Sequence, residues 1–336
     1  MKYDKKKTLL VISFIVIAIS SVVTVYLVFN RELTASEYLR KKATNKDGLL
    51  YNDSSADKSK MFIFKHNGIT ETRYIGNVPN NYVEFNCDED GTNCEIWRII
   101  GVFEVQTPNK NKSKMITENR VKIVKDGVLP NKMVWDKKGN DNRIYNNWST
   151  SSLKGFLNNE YYNRLDMADD YGLKDSARQM IDEVNYHLGG LDNISPYTTT
   201  EDIYNSEMGT KVYPKHPTEW ISKVGVMYAS DGYMVYGKGV NDECYNEPFS
   251  NCSIVSATAG WIYNSNNIDE QSDTAAIWFI DVYSNDEKNV TVLNEGQLLS
   301  ADCNAKAFVR PVVYLSSKVK IIDGDGTKNN PYKLSI

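Results

Sequence analysis

Hydrophobic and polar positions along this chain fall into two regimes. From Thr8 to Phe29 the apolar residues form one block, TLLVISFIVIAISSVVTVYLVF, without a charged side chain. As a helix rising 1.5 Å per residue it spans about 33 Å, close to the ~30 Å hydrocarbon thickness of a bilayer. The block predicts a single transmembrane helix over 8–29, with residues 1–7 as a cytoplasmic tail. Beyond Asn30 the apolar residues occur in short runs separated by turn residues, the pattern of a folded domain with a polar surface.

Within 30–60 the sequence is polar and rich in turn clusters, so it is read as a stalk, with Glu32–Lys42 as an extension of the membrane helix. The domain proper is expected over 61–336. Met61–Tyr74 offers two short strands, MFIF and TRYI. Glu95–Phe103, EIWRIIGVF, is apolar on both faces, which marks an interior strand covered on both sides. Arg98 in its middle needs buried partners, so a structural ion pair is expected there. Arg120–Lys125, RVKIVK, alternates and predicts a half-exposed neighbouring strand.

Two helices are predicted next. Ser149-Thr150-Ser151 offers an N-cap to a stripe of Leu153, Phe156, Leu157, Tyr161 and Leu165. Asp175 caps a second, with Ala177, Met180, Ile181, Val184 and Leu188 on one face and Gly189-Gly190 as its stop. Residues 191–220 read as loops. Val224–Tyr233 reads as a short strand running into a turn. Further strands are expected at Ala275–Val282, Val290–Leu293 and Ala307–Leu315, where Pro311 demands an edge or a local irregularity. The tail reads as strand, Asp323-Gly324-Asp325-Gly326 turn, and strand. Strands, then helices, then strands again predict an α+β fold with an antiparallel sheet.

Charge adds orientation. Lys2, Lys5, Lys6 and Lys7 outweigh Arg31 across the apolar block, which places the N-terminus in the cytoplasm and the domain outside. A cleaved signal peptide would have an apolar core of roughly 7–15 residues and small residues at its cleavage site. Here the run is longer and closes on Tyr26-Leu27-Val28-Phe29, so an uncleaved anchor is favoured. The net charge is −4. The first seven residues carry +3 of it, leaving −7 for the rest, a balance that argues against a nucleic-acid partner. Cysteines point outward too. Cys87 and Cys94 bracket DEDGTN, and Cys244 and Cys252 bracket YNEPFSN, each pair able to staple its loop in an oxidising compartment. Neither pair has the spacing of a zinc site, and Cys303 is left over.

Chemistry is sparse. The three histidines, His66, His187 and His216, stand in no recognisable catalytic motif, and no nucleophile elbow, zinc helix or phosphate loop occurs. Asp323-x-Asp325-Gly326 suggests calcium, but the closing ligand position of such a loop falls on Leu334, so a hairpin turn is the better account. No metal, cofactor or catalytic residue is assigned. Aromatic residues could form a stacking platform for a glycan or peptide. Tyr233, Trp261 and Tyr263, with Asp231 as a polar partner, are the candidate ligand-binding residues; Trp148 and Asn264 are weaker candidates, and Trp278 reads as core.

Four fragments carry a resemblance: NYVEFNC…CEIWRIIGVF, KVGVMYASDGY, AIWFIDV and FVRPVVYLSSKVKIIDGDGTKNNPYKL. In this order they resemble a large group of membrane-anchored surface proteins of Firmicutes and related bacteria, defined by sequence and not by an activity. The domain resembles the C-type-lectin-like and sulfatase-modifying-factor-like fold, in which two helices pack on a loop-heavy sheet. That resemblance implies a fold but no chemistry. The cysteine pair on which formylglycine generation depends has no counterpart here, and Glu247-Pro248-Phe249 departs from the calcium-lectin Glu-Pro-Asn motif at its third residue. The expected protein is a single-pass, cell-surface binding module for an extracellular glycan, peptide or protein. A sulfatase-modifying-factor-like or cell-wall enzyme and a structural envelope component are the alternatives.

Overall fold

The computed structural model describes residues 16–17, 32–44, 61–66, 69–76, 78–137, 145–164, 172–192, 198–213, 216–234, 261–262, 276–294 and 297–336. Its architecture is α+β with mostly antiparallel sheets. The organising strand is the predicted interior one, longer than expected at Glu95–Pro108. It pairs with Met115–Lys125 from Trp97↔Lys125 to Pro108↔Met115, with one irregularity between Ile99 and Gly101. Its other side receives Tyr82–Phe85 and then Ile69–Arg73. The full sheet runs Ala43–Thr44, Met61–His66, Ile69–Arg73, Glu95–Pro108, Met115–Lys125, Val312–Tyr314 and Val224–Gly225.

Arg120–Lys125 is not half-exposed as its alternation suggests: Arg120 and Lys122 are both buried. The strand has a neighbour on each side, and its charges meet buried or half-buried carboxylates in place of water. Pro311 resolves as an irregularity. The apolar run divides around it, Lys306–Ala307 pairing with Met133–Val134 and Val312–Tyr314 entering the large sheet between two neighbours. Proline's missing N–H falls just outside the ladder, while its carbonyl accepts from Lys125 N–H at 3.1 Å.

A second sheet is ordered Gln297–Asp302, Asn289–Asn294, Ile277–Tyr283 and Gly190–Leu191, the last pairing in parallel. Ile277–Tyr283 is buried along its whole length.

The helices depart furthest from expectation. The first prediction holds: Ser151 caps Ser152–Phe156, accepting from Lys154 N–H at 3.1 Å, and a wider turn Leu157–Tyr161 continues it. Leu153, Leu157 and Tyr161 are buried as the stripe requires, and Leu165 lies outside the described residues. The second predicted helix is only Asp175–Gln179, with Lys174 and not Asp175 at its cap position. Val184–His187 is a strand paired with Glu219–Ser222. The apolar spacing suited either state, and Val184 and Tyr186 are strand-favouring residues for which a partner strand decides the outcome. Two helices were not predicted, Thr200–Met208 and Ala229–Met234. The first is opened by a reciprocal cap between Thr199 and Asp202.

Residues 32–44 belong to the folded domain, in contrast to their reading as stalk and membrane-helix extension. Thr34 and Glu37 form a capping box for Ala35–Lys41, which buries Ala35 and Leu39. Ala35 N–H donates to Val319 O at 2.7 Å, and Lys42 Nζ donates to Tyr332 Oη at 2.8 Å. The chain's end also edges the sheet. Tyr82 N–H donates to Gly326 O and Glu84 N–H to Tyr332 O, both at 2.9 Å. The predicted C-terminal hairpin forms between Lys320–Asp323 and Lys333–Ser335, with Gly324 and Gly326 at φ 86° and 82°.

Of the predicted membrane segment only Val16 and Ile17 are described, both helical and exposed. Among the described residues no helix is long and apolar enough to cross a membrane. The Cys87–Cys94 disulfide is present, Cys303 is a buried free thiol, and Cys244 and Cys252 lie outside the described residues.

Two glycines separate crowding from freedom. A Cβ on Gly101 would stand 2.2 Å from Thr72 O and 3.2 Å from Arg73 Cα, both fixed backbone. Gly101→Ala is expected to cost about 1–3 kcal/mol in urea unfolding. Gly155, helical with nothing within 4 Å of such a Cβ, should instead gain up to about 1 kcal/mol as alanine.

Candidate functional site

Among the described residues, strand register builds a concentrated set of buried charges. Arg73 lies opposite Gly101, Gly101 opposite Lys122, and Lys122 opposite Tyr314, so four strands contribute one row on one face. A Cβ on Gly101 would press on the Phe103 ring, 3.1 Å away, as well as on the Thr72 carbonyl, so the glycine lets that ring lie along the row. Phe103, two residues on along the same face, lies under both: its ring centre is 4.5 Å from the Arg73 guanidinium carbon and 5.1 Å from Lys122 Nζ.

Two carboxylates meet these cations, one from the strand of Arg73 itself and one from another element. Glu71, on the strand of Arg73, accepts from Arg73 Nε at 2.9 Å and from Tyr204 Oη at 3.0 Å. Asp231, on Ala229–Met234, accepts from Arg73 Nη1 at 2.9 Å through Oδ1; its Oδ2 accepts from Lys122 Nζ and from Tyr228 N–H. Asp231 and Lys122 side chains are each 1% exposed. Two cations and two carboxylates thus balance without solvent.

A second acid pair completes the cluster. Asp281, from the second sheet, accepts Ala229 N–H at 2.6 Å, and Glu207, from Thr200–Met208, accepts Ser230 N–H at 2.8 Å and Ser230 Oγ–H at 2.5 Å. Together they hold the first turn of the helix that carries Asp231. Asp281 Oδ1 is buried with no donor of its own. Burial pushes the Glu207 carboxyl well up, helped by Asp281, and burial pushes Asp281 up to about 7. Two adjoining carboxyls in such a place hold one proton between them. Burial also works against the charge on Asp231, but Lys122 and Arg73 outweigh it and keep that carboxyl below the usual range. Lys122 is lowered by burial, with Asp231 opposing the shift.

The sequence-predicted residues divide. Asp231 sits at the centre of the cluster. Tyr233, two residues on along the same helix, is buried. Trp261 is 1% exposed, its indole N–H donating to Tyr74 O at 3.1 Å and its ring 4.8 Å from the Arg98 guanidinium carbon. Tyr263 and Asn264 lie outside the described residues; Trp148 and Trp278 are buried. Arg98 makes the expected structural contacts, with Asp126 at 3.6 Å, Asn81 Oδ1 at 2.7 Å and the Tyr82 ring at 3.7 Å. Sequence reasoning missed Glu71, Arg73, Lys122, Glu207 and Asp281. Asp281 had a legible signal, a lone carboxylate in the apolar run AIWFIDV; Lys122, one of three cations in RVKIVK beside Arg120 and Lys125, had none.

Elsewhere His187 is half-buried, 3.8 Å from Glu219, and His216 is buried between the carbonyls of Pro217 and Asn146. Among the described residues no three His, Cys, Asp or Glu side chains are grouped to hold a metal ion. No protein-family model, characterised protein or solved structure matches the chain.

The pH dependence follows from the acid pair. A carboxyl whose pKa is raised by folding stabilises the fold fully below its unfolded value, and that contribution is lost as pH climbs through the folded value. Asp281 moves from 3.8 to about 7. Between these values denaturant stability should therefore carry a component that falls with rising pH, and Glu207→Gln, which supplies a permanent donor to Asp281, should flatten that slope. Arg73→Met should cost about 3–5 kcal/mol at neutral pH, since it leaves Glu71 and part of Asp231 buried without their cation; chemical unfolding measures it.

Proposed function

We propose that this chain is a binding module displayed outside a bacterial cell on a single N-terminal membrane anchor, with a glycan, peptide or protein of the cell surface as its ligand. The observation that carries this reading is the Cys87–Cys94 disulfide, closed across the acidic turn Asp88-Glu89-Asp90-Gly91. Such bonds persist in oxidising compartments and are reduced in the cytosol. The loop it closes is tied to the body of the domain: Lys174 Nζ meets Asp88 at 2.8 Å and Asn93 O at 2.9 Å, and Ser176 Oγ donates to Cys87 O. A cross-linked loop fastened to a rigid base is a pre-organised surface, which favours recognition because less freedom is lost on binding.

The apolar segment Thr8–Phe29, with its lysine flank, supports the anchor. Loop-rich antiparallel sheets with short helices agree with the C-type-lectin-like reading and with the bacterial surface-protein group whose closing motif this chain resembles. An enzymatic reading has one observation in its favour, the buried Glu207–Asp281 pair, because perturbed acids cluster in active sites. Both carboxyls, however, hold backbone and hydroxyl donors of Ala229 and Ser230, a structural use that accounts for them.

Protease added to intact cells is expected to remove the domain and leave the first thirty or so residues with the membrane; full protection of the domain would exclude the topology. The detergent-solubilised chain, passed over arrays of glycans and cell-wall fragments, should be retained by at least one class, and absence of retention on every class would remove the binding reading.

A further inference from the structure

We propose that Lys122 and Asp231 become joined by an intramolecular amide bond, a covalent cross-link between the large sheet and the helix Ala229–Met234. Among the described lysine–carboxylate pairs this one alone is sealed from water, at 1% exposure for each side chain; the others, such as Lys125–Glu95 and Lys174–Asp88, are at least 16% exposed on one partner and more on the other. Sealing matters because condensation of an amine with a carboxyl releases water, and a site that excludes water does not return it.

Surroundings supply what the reaction needs. Lys122 Nζ touches Asp231 Oδ2 directly and lies among the rings of Tyr228, Phe103 and Tyr314, at 4.6, 5.1 and 5.5 Å from their centres. An apolar wall favours the neutral amine, the nucleophilic form. On the carboxyl's other oxygen, Arg73 Nη1 donates to Oδ1 at 2.9 Å, where negative charge develops when nitrogen adds to Cγ. Position is fixed from both sides: Lys122 by the strand ladder beside Gly101, Asp231 by the helix turn that Glu207 and Asp281 hold.

The step balances without an oxidant or a co-reactant. An ammonium proton passes to Oδ2, leaving amine and carboxylic acid; Nζ bonds to Cγ, the Cγ–Oδ2 bond breaks, and Oδ2 departs as water with a second proton from nitrogen. Ammonium and carboxylate become amide and water with no net change in protons. Charge remains balanced afterwards, since one cation and one anion disappear together and Arg73 keeps Glu71. The product also relieves the desolvation cost of a buried ion pair. Glu207 and Asp281 accept the first-turn N–H groups of the helix that carries Asp231, which makes them positioning residues.

The test is the mass of the full chain after denaturation and disulfide reduction, followed by peptide mapping. One water less than the unlinked chain is expected, together with a branched peptide joining the Lys122 and Asp231 segments, which lie 109 residues apart. Lys122→Arg keeps the charge but cannot form the bond, and should restore the lost water. An intact mass without dehydration overturns the proposal. So does dehydration that persists in Lys122→Arg, which would mark cyclisation at Asp231-Gly232 instead. The wild-type peptide map decides the matter even where the arginine variant fails to fold.

Discussion

Burial of balanced charge in the space between the sheets is the constraint on which the rest depends. Arg73 and Lys122 are placed there by strand register, and neither can retreat to water from a row covered by a helix and a second sheet. Both therefore draw on Asp231, a carboxylate on another element. Glu71 and Asp231 are not accessories to packing; they are the condition under which the large sheet, Thr200–Met208, Ala229–Met234 and Ile277–Tyr283 can share one interior. Ion pairs of this kind contribute little net stability, because desolvation offsets attraction, but removing one partner is severe. The cluster therefore specifies how the elements meet more than it strengthens the meeting.

The sheets were legible because their strands announce themselves. Glu95–Phe103 is apolar on both faces and proved interior; Ile277–Tyr283 and the C-terminal hairpin fell where β-branched runs and a glycine turn put them. Helices were less legible for a physical reason. Most are only one or two turns long, so the periodicity of a stripe has no room to develop. Thr200–Met208 is the exception, and its signature was the Thr199–Asp202 cap and not its apolar pattern. Val184–His187 shows the converse, since its residues continued a helical stripe by coincidence while a partner strand claimed them.

The site was legible only at Asp231, and for a reason other than the one the residue now illustrates. Polar residues near aromatic ones suggested a ligand platform, whereas Asp231 serves cations delivered from strands over a hundred positions away. No local window contains that information. What the sequence does carry is the anomaly of charge in an apolar phase, at Arg98 and Asp281 alike. It was followed for Arg98, which has the structural partners expected of it. Applied to Asp281, the same rule points into the cluster.

The docking of Ala35–Lys41 against Val319 and Tyr332 has a consequence for the order of events during synthesis. The helix Ala35–Lys41 has its partners at Val319 and Tyr332, and Tyr82–Phe85 also waits for Gly326 and Tyr332 to occupy its edge. The Lys42–Tyr332 contact closes over 290 residues, so a growing chain cannot complete this part of its fold until Tyr332 has emerged. Docking of the helix Ala35–Lys41 is thus a late step, separate from the pairing of the strands between.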